Sequence, residues 1–232
     1  MKTIIKKLLP KRYKRSLLKH YTEIVRQMHA RTFLKRDAQI PLCQLQHKHL
    51  QHLQALPDRL ALLNVMPKHA VVAELGVDMG EFSEAILEYN DPKKLHLIDA
   101  WPSSRYHKGK RDMVVQKFNE AIESGQVQLH EGYSTDLVVD FPDHYFDWIY
   151  VDTDHSYKTT LTELELYHIK VKPGGYIAGH DFILGNWISL LRYGVIDAVY
   201  EFCIKYNWEM VYLTMEHKAH PSFAIKKIIE HD

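Results

Sequence analysis

The chain contains 232 residues, which is enough for one α/β domain of ordinary size and an extension. Its composition, with 46% hydrophobic and 25% charged residues, is typical of a globular protein. Two cysteines exclude a disulfide framework, and no stretch is long and apolar enough to span a membrane. Lys6 and Lys7 interrupt the apolar start of the chain, which is not expected of a signal peptide. These observations predict a cytoplasmic protein.

Positive charge is concentrated at the start of the chain. The formal net charge is only +1, but residues 1–37 hold 12 of the 30 lysines and arginines and 2 of the 29 acidic residues. In this segment Leu17, Tyr21, Ile24 and Met28 recur at helical spacing. We predict a helical extension over residues 1–66, with a second helical run over residues 42–63. We expect it to serve as a lid or an oligomerisation surface; the alternative is that it lies on an anionic membrane surface.

From His69 onward, short apolar runs alternate with helical patterns. This order is typical of a mostly parallel sheet that is covered by helices on both faces. Two apolar runs near the end, residues 208–213 and 222–228, predict an antiparallel C-terminal hairpin. We therefore predict an α/β fold with a Rossmann-like sheet domain over residues 67–232. The predicted parallel strands are residues 71–74, 95–99, 127–131, 148–152 and 176–179.

A glycine-containing turn follows the first of these strands. Residues 71–80, VVAELGVDMG, have the spacing Glu-x-Gly-x-x-x-Gly between a strand and a helix start. Asp78 stands where the dinucleotide pattern has its middle glycine, which disfavours a pyrophosphate. The segment resembles motif I of class I S-adenosylmethionine-dependent methyltransferases. This resemblance implies a seven-stranded sheet with an antiparallel last strand, and cofactor binding by Glu74, Gly76 and Gly80.

Polar residues end the next two strands. Asp99 lies nineteen positions after Gly80, where a carboxylate can accept the ribose hydroxyls of an adenosine. The same arrangement serves NAD, and an aspartate is also a good helix N-cap. In methyltransferases of this type the end of the third strand holds the adenine. The resemblance therefore assigns Gly132 and Ser134 to the cofactor site.

Residues 146–181 narrow the resemblance. The turn KPGG, residues 172–175, leads into an apolar strand, as in methyltransferases. The segments VDTDHSY, residues 151–157, and GHDF, residues 179–182, resemble the family of macrocin-type sugar O-methyltransferases and cephalosporin-hydroxylase-like enzymes. The resemblance covers roughly residues 71–228 and is absent over the first sixty residues.

This narrower resemblance implies a divalent metal, Mg²⁺ or Mn²⁺, that Asp152, His180 and Asp181 hold. The histidine departs from the carboxylate or amide that is usual at its position, which shifts the expected ion towards one that tolerates imidazole. Asp152 is also assigned to the cofactor pocket and to catalysis. In the alternative interpretation, Asp152 and Asp181 only cap helices and line the cofactor pocket.

A candidate general base follows the fourth strand. The related catechol and caffeoyl-type enzymes have a lysine three residues after the strand-four aspartate, and here that position is His155. An imidazole titrates near working pH and can take a proton from a substrate hydroxyl. The alternative role of His155 is a hydrogen bond to Asp152 or Asp154 at a helix start.

These residues predict an S-adenosylmethionine-dependent O-methyltransferase. The acceptor is a hydroxyl of a small molecule, and the resemblance favours a sugar or another polyhydroxyl compound. We expect its pocket to form from the N-terminal segment and from residues 101–110 and 183–193. We expect no nucleic-acid partner, and leave a homo-oligomer open. The alternatives are a metal-independent enzyme with His155 as base, an NAD-dependent oxidoreductase, and a cofactor-binding interaction module without catalysis.

Overall fold

The structure is a computed structural model of the chain and describes residues 11–101, 109–186 and 191–229. The lysines of residues 1–10 lie outside the described residues, as does part of each loop that we expect to line the acceptor pocket. Among the described helices, none is long and apolar enough to cross a membrane.

Eight strands form the central sheet. They are β1 (Gln54–Leu56), β2 (Val71–Leu75), β3 (Lys94–Asp99), β4 (Val127–Glu131), β5 (Phe146–Val151), β6 (Val171–Gly179), β9 (Trp208–Thr214) and β10 (Phe223–Lys227). Two shorter strands, β7 (Gly185–Asn186) and β8 (Leu191–Arg192), pair with each other as a separate hairpin.

The sheet is mostly parallel, in the order β1-β9-β10-β6-β5-β2-β3-β4. Strand β10 is antiparallel to both β6 and β9, while β1 pairs parallel with β9 at the edge. The predicted Rossmann-like α/β fold with an antiparallel C-terminal hairpin is therefore confirmed. The sheet has one strand more than the expected seven, because β1 adds to it.

The helices of the domain cover both faces of this sheet. They are α2 (Arg59–Val65), α3 (Glu81–Asn90), α4 (Gly109–Lys117), α5 (Asn119–Glu123), α6 (Ser134–Leu137), α7 (Tyr157–Tyr167) and α8 (Val195–Tyr206). Ser156 caps α7 by accepting a hydrogen bond from the Thr159 amide, which fixes where the chain turns after β5.

Two apolar clusters hold these layers together. One packs Phe146, Ile149 and Phe202 between the sheet and helices α7 and α8. The other packs Leu62, Ile86 and Trp148 on the opposite face, against α2 and α3. Burial on both faces explains why β5 is an almost continuous apolar run.

The segment before β2 differs from its prediction. The helical prediction over residues 42–63 is wrong before Asp58, because residues 47–49 form one 3₁₀ turn and β1 is extended. Asp58 does begin a helix, since its side chain accepts a hydrogen bond from the Ala61 amide at the start of α2. Both β1 and α2 lie in the predicted extension, yet they pair and pack with the sheet domain.

The first described element is α1 (Lys11–Asp37), a helix of 27 residues. Its apolar side chains are largely exposed, with 63% of Tyr21 and 64% of Met28 accessible to solvent. At its C-terminal end, Asp37 pairs with Arg192 of β8 at 2.8 Å, and Phe33 lies under the same guanidinium. The helix is thus attached to the domain near its end.

Candidate active site

A cavity of about 290 Å³ opens where β2 and β5 end. These two strands are neighbours in the sheet, and the chain proceeds from them to opposite edges, which makes this the switch point of the fold. In open α/β sheets ligands bind at the carboxyl ends of strands, at such a point. The cavity is lined by Arg59, Glu74, Gly76, Val77, Asp78, Met79, Glu81, Phe82, Asp152, Thr153 and His155.

Gly76 lets the ends of the two strands approach each other. Its φ of +87° lies in the left-handed region, and a Cβ at this position would stand 1.9 Å from the carbonyl oxygen of Asp152. Gly80 also has a positive φ, precedes α3, and leaves room for the ring of Phe118. Of the two cofactor glycines that are predicted in this turn, Gly76 lines the cavity, whereas Gly80 is not among the lining residues.

Glu74, the last residue but one of β2, is a buried carboxyl group on the cavity wall. Only 2% of the residue is exposed, and the Ser83 hydroxyl donates a hydrogen bond to it. Burial raises its pKa to about 8, although the Ser83 bond and the charge of Arg59 act in the opposite direction. Without a ligand this carboxyl is therefore mostly protonated at neutral pH, and a cation beside it would favour its ionised form.

Asp99 holds the glycine-containing turn in place. Its Oδ2 accepts hydrogen bonds from the amides of Val77 and Asp78 at 2.8 and 3.0 Å, and its Oδ1 accepts one from the amide of Trp101 at 2.7 Å. Asp99 is not among the residues that line the cavity. Its contact with the ribose remains a prediction, and its hydrogen bonds show a second role that the sequence did not indicate.

Gly132 and Ser134 lie at the end of β4, away from the lined cavity. The Ser134 hydroxyl donates to buried Glu163, whose other oxygen accepts a hydrogen bond from Thr153 at 2.8 Å. Burial raises the pKa of Glu163 to about 7 against these two hydrogen bonds. This carboxyl ties the ends of β4 and β5 together, and the assignment of Gly132 and Ser134 to the cofactor remains a prediction.

Two aspartates and three histidines meet beyond the end of β5. His155 Nδ1 lies 3.1 Å from Asp181 Oδ2 and 3.9 Å from Asp152 Oδ1. His180 Nδ1 lies 3.5 Å from Asp152 Oδ2, and His220 contacts the other oxygen of Asp181. Sequence reasoning missed His220, because it reaches the site from the turn before β10 with no motif around it.

The charges in this cluster are strongly coupled. Burial raises the pKa of Asp152, with the two nearby histidines opposing it. Burial would also raise the pKa of Asp181, but its histidine neighbours outweigh that effect and hold the pKa at about 2. For His180, the effect of burial is outweighed by the hydrogen bond to Asp181 and by both carboxylates, so its pKa is raised. The cluster thus favours an ionised Asp181 carboxylate next to a cationic His180 imidazole.

The backbone at this cluster is strained. His155 and Asp181 have φ values of +60° and +56°, in the left-handed region that side chains rarely adopt. Such positions cost roughly 1–3 kcal/mol each and are concentrated at functional sites. In this conformation the two side chains contact each other, with His155 Nδ1 3.1 Å from Asp181 Oδ2.

The cluster also has the composition of a metal centre. One ligand atom from each of Asp152, His155 and Asp181 lies within 4.8 Å of the others. The metal ligands predicted from the sequence include His180 in place of His155. Within the described part of the chain, His180 Nε2 is buried and has no hydrogen-bond partner. Two carboxylates and an imidazole suit Mg²⁺ or Mn²⁺, so the residues fit the implied metal.

The comparisons with known proteins agree with this geometry. A family described as a methyltransferase domain matches residues 73–182, the span from β2 to the start of the loop after β6. Residues 73–182 therefore form a methyltransferase domain, which occupies just under half of the chain. No curated protein matches its sequence at a significant level.

Solved structures share the fold of this methyltransferase at low sequence identity. A protein from Corynebacterium glutamicum superposes with a TM-score of 0.54 and 12% identity over 93% of this chain and 98% of its own. A SAM-dependent methyltransferase from Aquifex aeolicus gives 0.53 and 14%, over 78% and 93%. A tRNA methyltransferase from B. subtilis gives 0.54 and 11%, over 75% and 67%.

The chain spans only about half the length of the first similar structures. It covers 51% of the pyocyanin biosynthetic protein PhzM and 43% of a protein from Galdieria sulphuraria. The domain match supports S-adenosylmethionine-dependent methylation, and the structure from Aquifex aeolicus shares the fold.

Proposed function

We propose that this methyltransferase transfers a methyl group from S-adenosylmethionine to a hydroxyl of a small polyhydroxylated molecule such as a sugar. The observation that carries the proposal is His155 on the cavity wall, 3.1 Å from the carboxylate of Asp181. When Nδ1–H donates to this carboxylate, Nε2 is left as the proton acceptor. The pair supports oxygen as the acceptor atom, because an alcohol must lose a proton during transfer.

The transfer balances as a single displacement. The acceptor oxygen attacks the methyl carbon, the carbon–sulfur bond breaks, and its electron pair remains on sulfur in S-adenosylhomocysteine. The hydroxyl proton passes to Nε2 of His155, and Asp181 stabilises the resulting imidazolium. Positioning the two reactants accounts for much of the rate enhancement in such a reaction.

Asp152, His180 and Asp181 would hold the divalent metal in the proposed enzyme. When bound, the ion would lower the pKa of the acceptor hydroxyl and orient it. His155 cannot accept the proton while it is itself a metal ligand, so the predicted set with His180 leaves His155 as the base. The 3.1 Å contact between His155 and Asp181 favours a second candidate, the metal-independent enzyme, because that pair needs no ion.

A small-molecule acceptor is favoured over nucleic acid by charge. Residues 38–232 hold 18 lysines and arginines against 27 acidic residues, and four carboxyl groups line the cavity. Nucleic-acid binding depends on several cationic contacts to phosphates, and Arg59 is the one lysine or arginine among the described residues that line the cavity.

Turnover on a panel of hydroxylated acceptors tests the proposal. His155→Gln should lower kcat by about 10²- to 10⁴-fold while S-adenosylhomocysteine binding is kept, because general base catalysis contributes on that order. The matched control His217→Gln changes a histidine outside the cavity and cluster. Methylation of amines but no alcohol would refute the oxygen acceptor.

Chelation separates the two candidates. If the metal is required, excess chelator should abolish turnover of the wild-type enzyme, and Mg²⁺ or Mn²⁺ should restore it. Full activity in chelator, still dependent on His155, would support the metal-independent enzyme instead.

A further inference from the structure

Arg59 lines the cavity, and no motif in the sequence indicates a function for it. It is the first residue of α2, directly after the N-cap Asp58, and so belongs to the segment before the methyltransferase match. Its guanidinium lies 4.9 Å from the centre of the Phe82 ring, which also lines the cavity. The aromatic face supports the flat cation and holds it at the wall.

The charge of Arg59 is unlike that of the other lining residues. Glu74, Asp78, Glu81 and Asp152 are acidic, and Arg59 is the one lysine or arginine on the described wall. Within the part of the chain that the structure describes, no carboxylate is bonded to its guanidinium, which contacts the Phe82 ring instead. Its charge lowers the pKa of Glu74 and Asp152, so it acts across the cavity.

S-adenosylmethionine has a matching distribution of charge. Its methionine portion carries one carboxylate, one ammonium group and the sulfonium. The carboxyl groups of Glu74 and Asp152 suit the cationic groups, and a guanidinium is suited to bind a carboxylate through two parallel hydrogen bonds.

We propose that Arg59 binds the carboxylate of the methionine portion of the cofactor and makes the site select the intact amino acid. This inference rests on the proposed function, because it assumes S-adenosylmethionine as the donor. It places a cofactor-binding residue in a helix that precedes the matched domain and shares an apolar cluster with α3.

Calorimetry with two ligands tests the inference. S-adenosylhomocysteine contains the carboxylate, whereas 5′-methylthioadenosine keeps the adenosine and sulfur but lacks the amino-acid chain. Arg59→Gln should weaken S-adenosylhomocysteine binding about 10- to 100-fold and leave 5′-methylthioadenosine binding unchanged, because the lost charged hydrogen bonds involve only the carboxylate. Arg59→Lys should recover part of the loss, and Arg26→Gln on α1 should change neither affinity.

The other possible results of this experiment can be told apart. Equal weakening of both ligands would overturn the inference, since Arg59 would then only shape the cavity. Unchanged S-adenosylhomocysteine affinity in Arg59→Gln would also overturn it while leaving the proposed function in place. If the wild-type protein binds neither ligand, the proposed function and the inference both fail. Should Arg59→Gln not fold, the Arg59→Lys comparison decides, because that variant keeps the charge but loses the planar fork.

Discussion

The N-terminal helix and the sheet domain are opposite in charge and in packing. Helix α1 is part of a segment with ten more basic than acidic residues, whereas residues 38–232 have nine more acidic than basic ones. The domain buries its large side chains, while α1 leaves Leu17, Tyr21 and Met28 at least half exposed.

This difference indicates where each part obtains its stability. The domain is stabilised by its own core, and the cavity, the strained residues and the charged cluster all belong to it. An exposed helix gains little stability from packing. Its stability depends on the helix propensity of its residues and on side-chain pairs such as Glu23 with Arg26, which lie 2.7 Å apart. Substitutions in the domain should therefore change folding or ligand binding, and changes in α1 should change neither.

The largest effect on the domain is expected from Gly76→Ala. The new Cβ would collide with the Asp152 carbonyl in a backbone conformation with φ of +87°. The free energy of unfolding should fall by about 4 kcal/mol, from strain and overpacking together, and S-adenosylmethionine binding should be lost. Chemical denaturation and calorimetry measure both.

Gly125→Ala is the matched control for this change. Its φ is +77°, but a Cβ there meets nothing within 4 Å, so only the backbone strain of about 1–2 kcal/mol should appear. Equal losses in the two variants would show that the close approach of β2 and β5 does not matter.

Glu74→Gln should make the domain more stable at high pH and at the same time weaken cofactor binding. The carboxyl has its pKa raised from 4.5 to about 8 in the folded protein, so it contributes stability below pH 4.5 that is lost as pH rises to about 8. Glutamine has no such dependence. Relative to wild type, the variant should gain up to about 4 kcal/mol in the free energy of unfolding between pH 5 and pH 9, as measured by denaturation at both values.

The same variant should bind S-adenosylmethionine more weakly, because a cationic ligand favours the ionised carboxylate. In the wild-type protein, affinity should rise between pH 6 and pH 8, and binding should release a proton that calorimetry detects in buffers of different ionisation enthalpy. Absence of proton release, with the affinity of Glu74→Gln unchanged, would remove Glu74 from the cofactor site.

A smaller effect is expected from Asp99→Ala. If Asp99 accepts the ribose hydroxyls, S-adenosylmethionine binding should weaken by roughly 1.5–3 kcal/mol. The variant also frees the amides of Val77, Asp78 and Trp101, so the melting temperature should fall as well. A lower melting temperature with unchanged affinity would assign Asp99 to the turn alone.

The buried strands could be predicted from the sequence, because strands covered on both faces are apolar runs between helical patterns. All five predicted parallel strands appear in the sheet. Strand β1 could not be predicted from the sequence, because it has only three residues and it pairs with β9, which lies more than 150 positions later in the chain. The helical prediction before Asp58 was wrong because the apolar spacing on which it rested also occurs in this segment's coil, 3₁₀ turn and short edge strand.

The site divides in the same way. Recognisable motifs at the ends of two strands contain four residues that line the cavity: Glu74, Gly76, Asp152 and His155. Arg59 and His220 could not be found, because neither has a motif around it and each reaches the site through tertiary packing. The hydrogen bonds of Asp99 to backbone amides could not be predicted from the sequence either, nor could the bond of Ser134 to Glu163. Both join residues of separate elements.

Removal of residues 1–37 should have the smallest effect on the domain. The main loss is the pair between Asp37 and Arg192, and Arg192 keeps Asp197 at 2.8 Å. The free energy of unfolding and the affinity for S-adenosylhomocysteine should change by less than about 1 kcal/mol, because partly exposed ion pairs contribute little. Any larger loss of cofactor affinity would place the segment in the cofactor site and contradict the comparison.

The truncation also tests what the exposed side of α1 contacts outside the chain. We expect it to pack on the acidic domain of a second copy, because the two parts have opposite charge and the exposed Leu17, Tyr21 and Met28 would be buried there. Light scattering should then show a lower mass for the truncated protein, and substitution of these three residues by serine in the full chain should have the same effect. An unchanged mass, with loss of salt-sensitive binding to anionic vesicles, would instead assign α1 to a membrane surface.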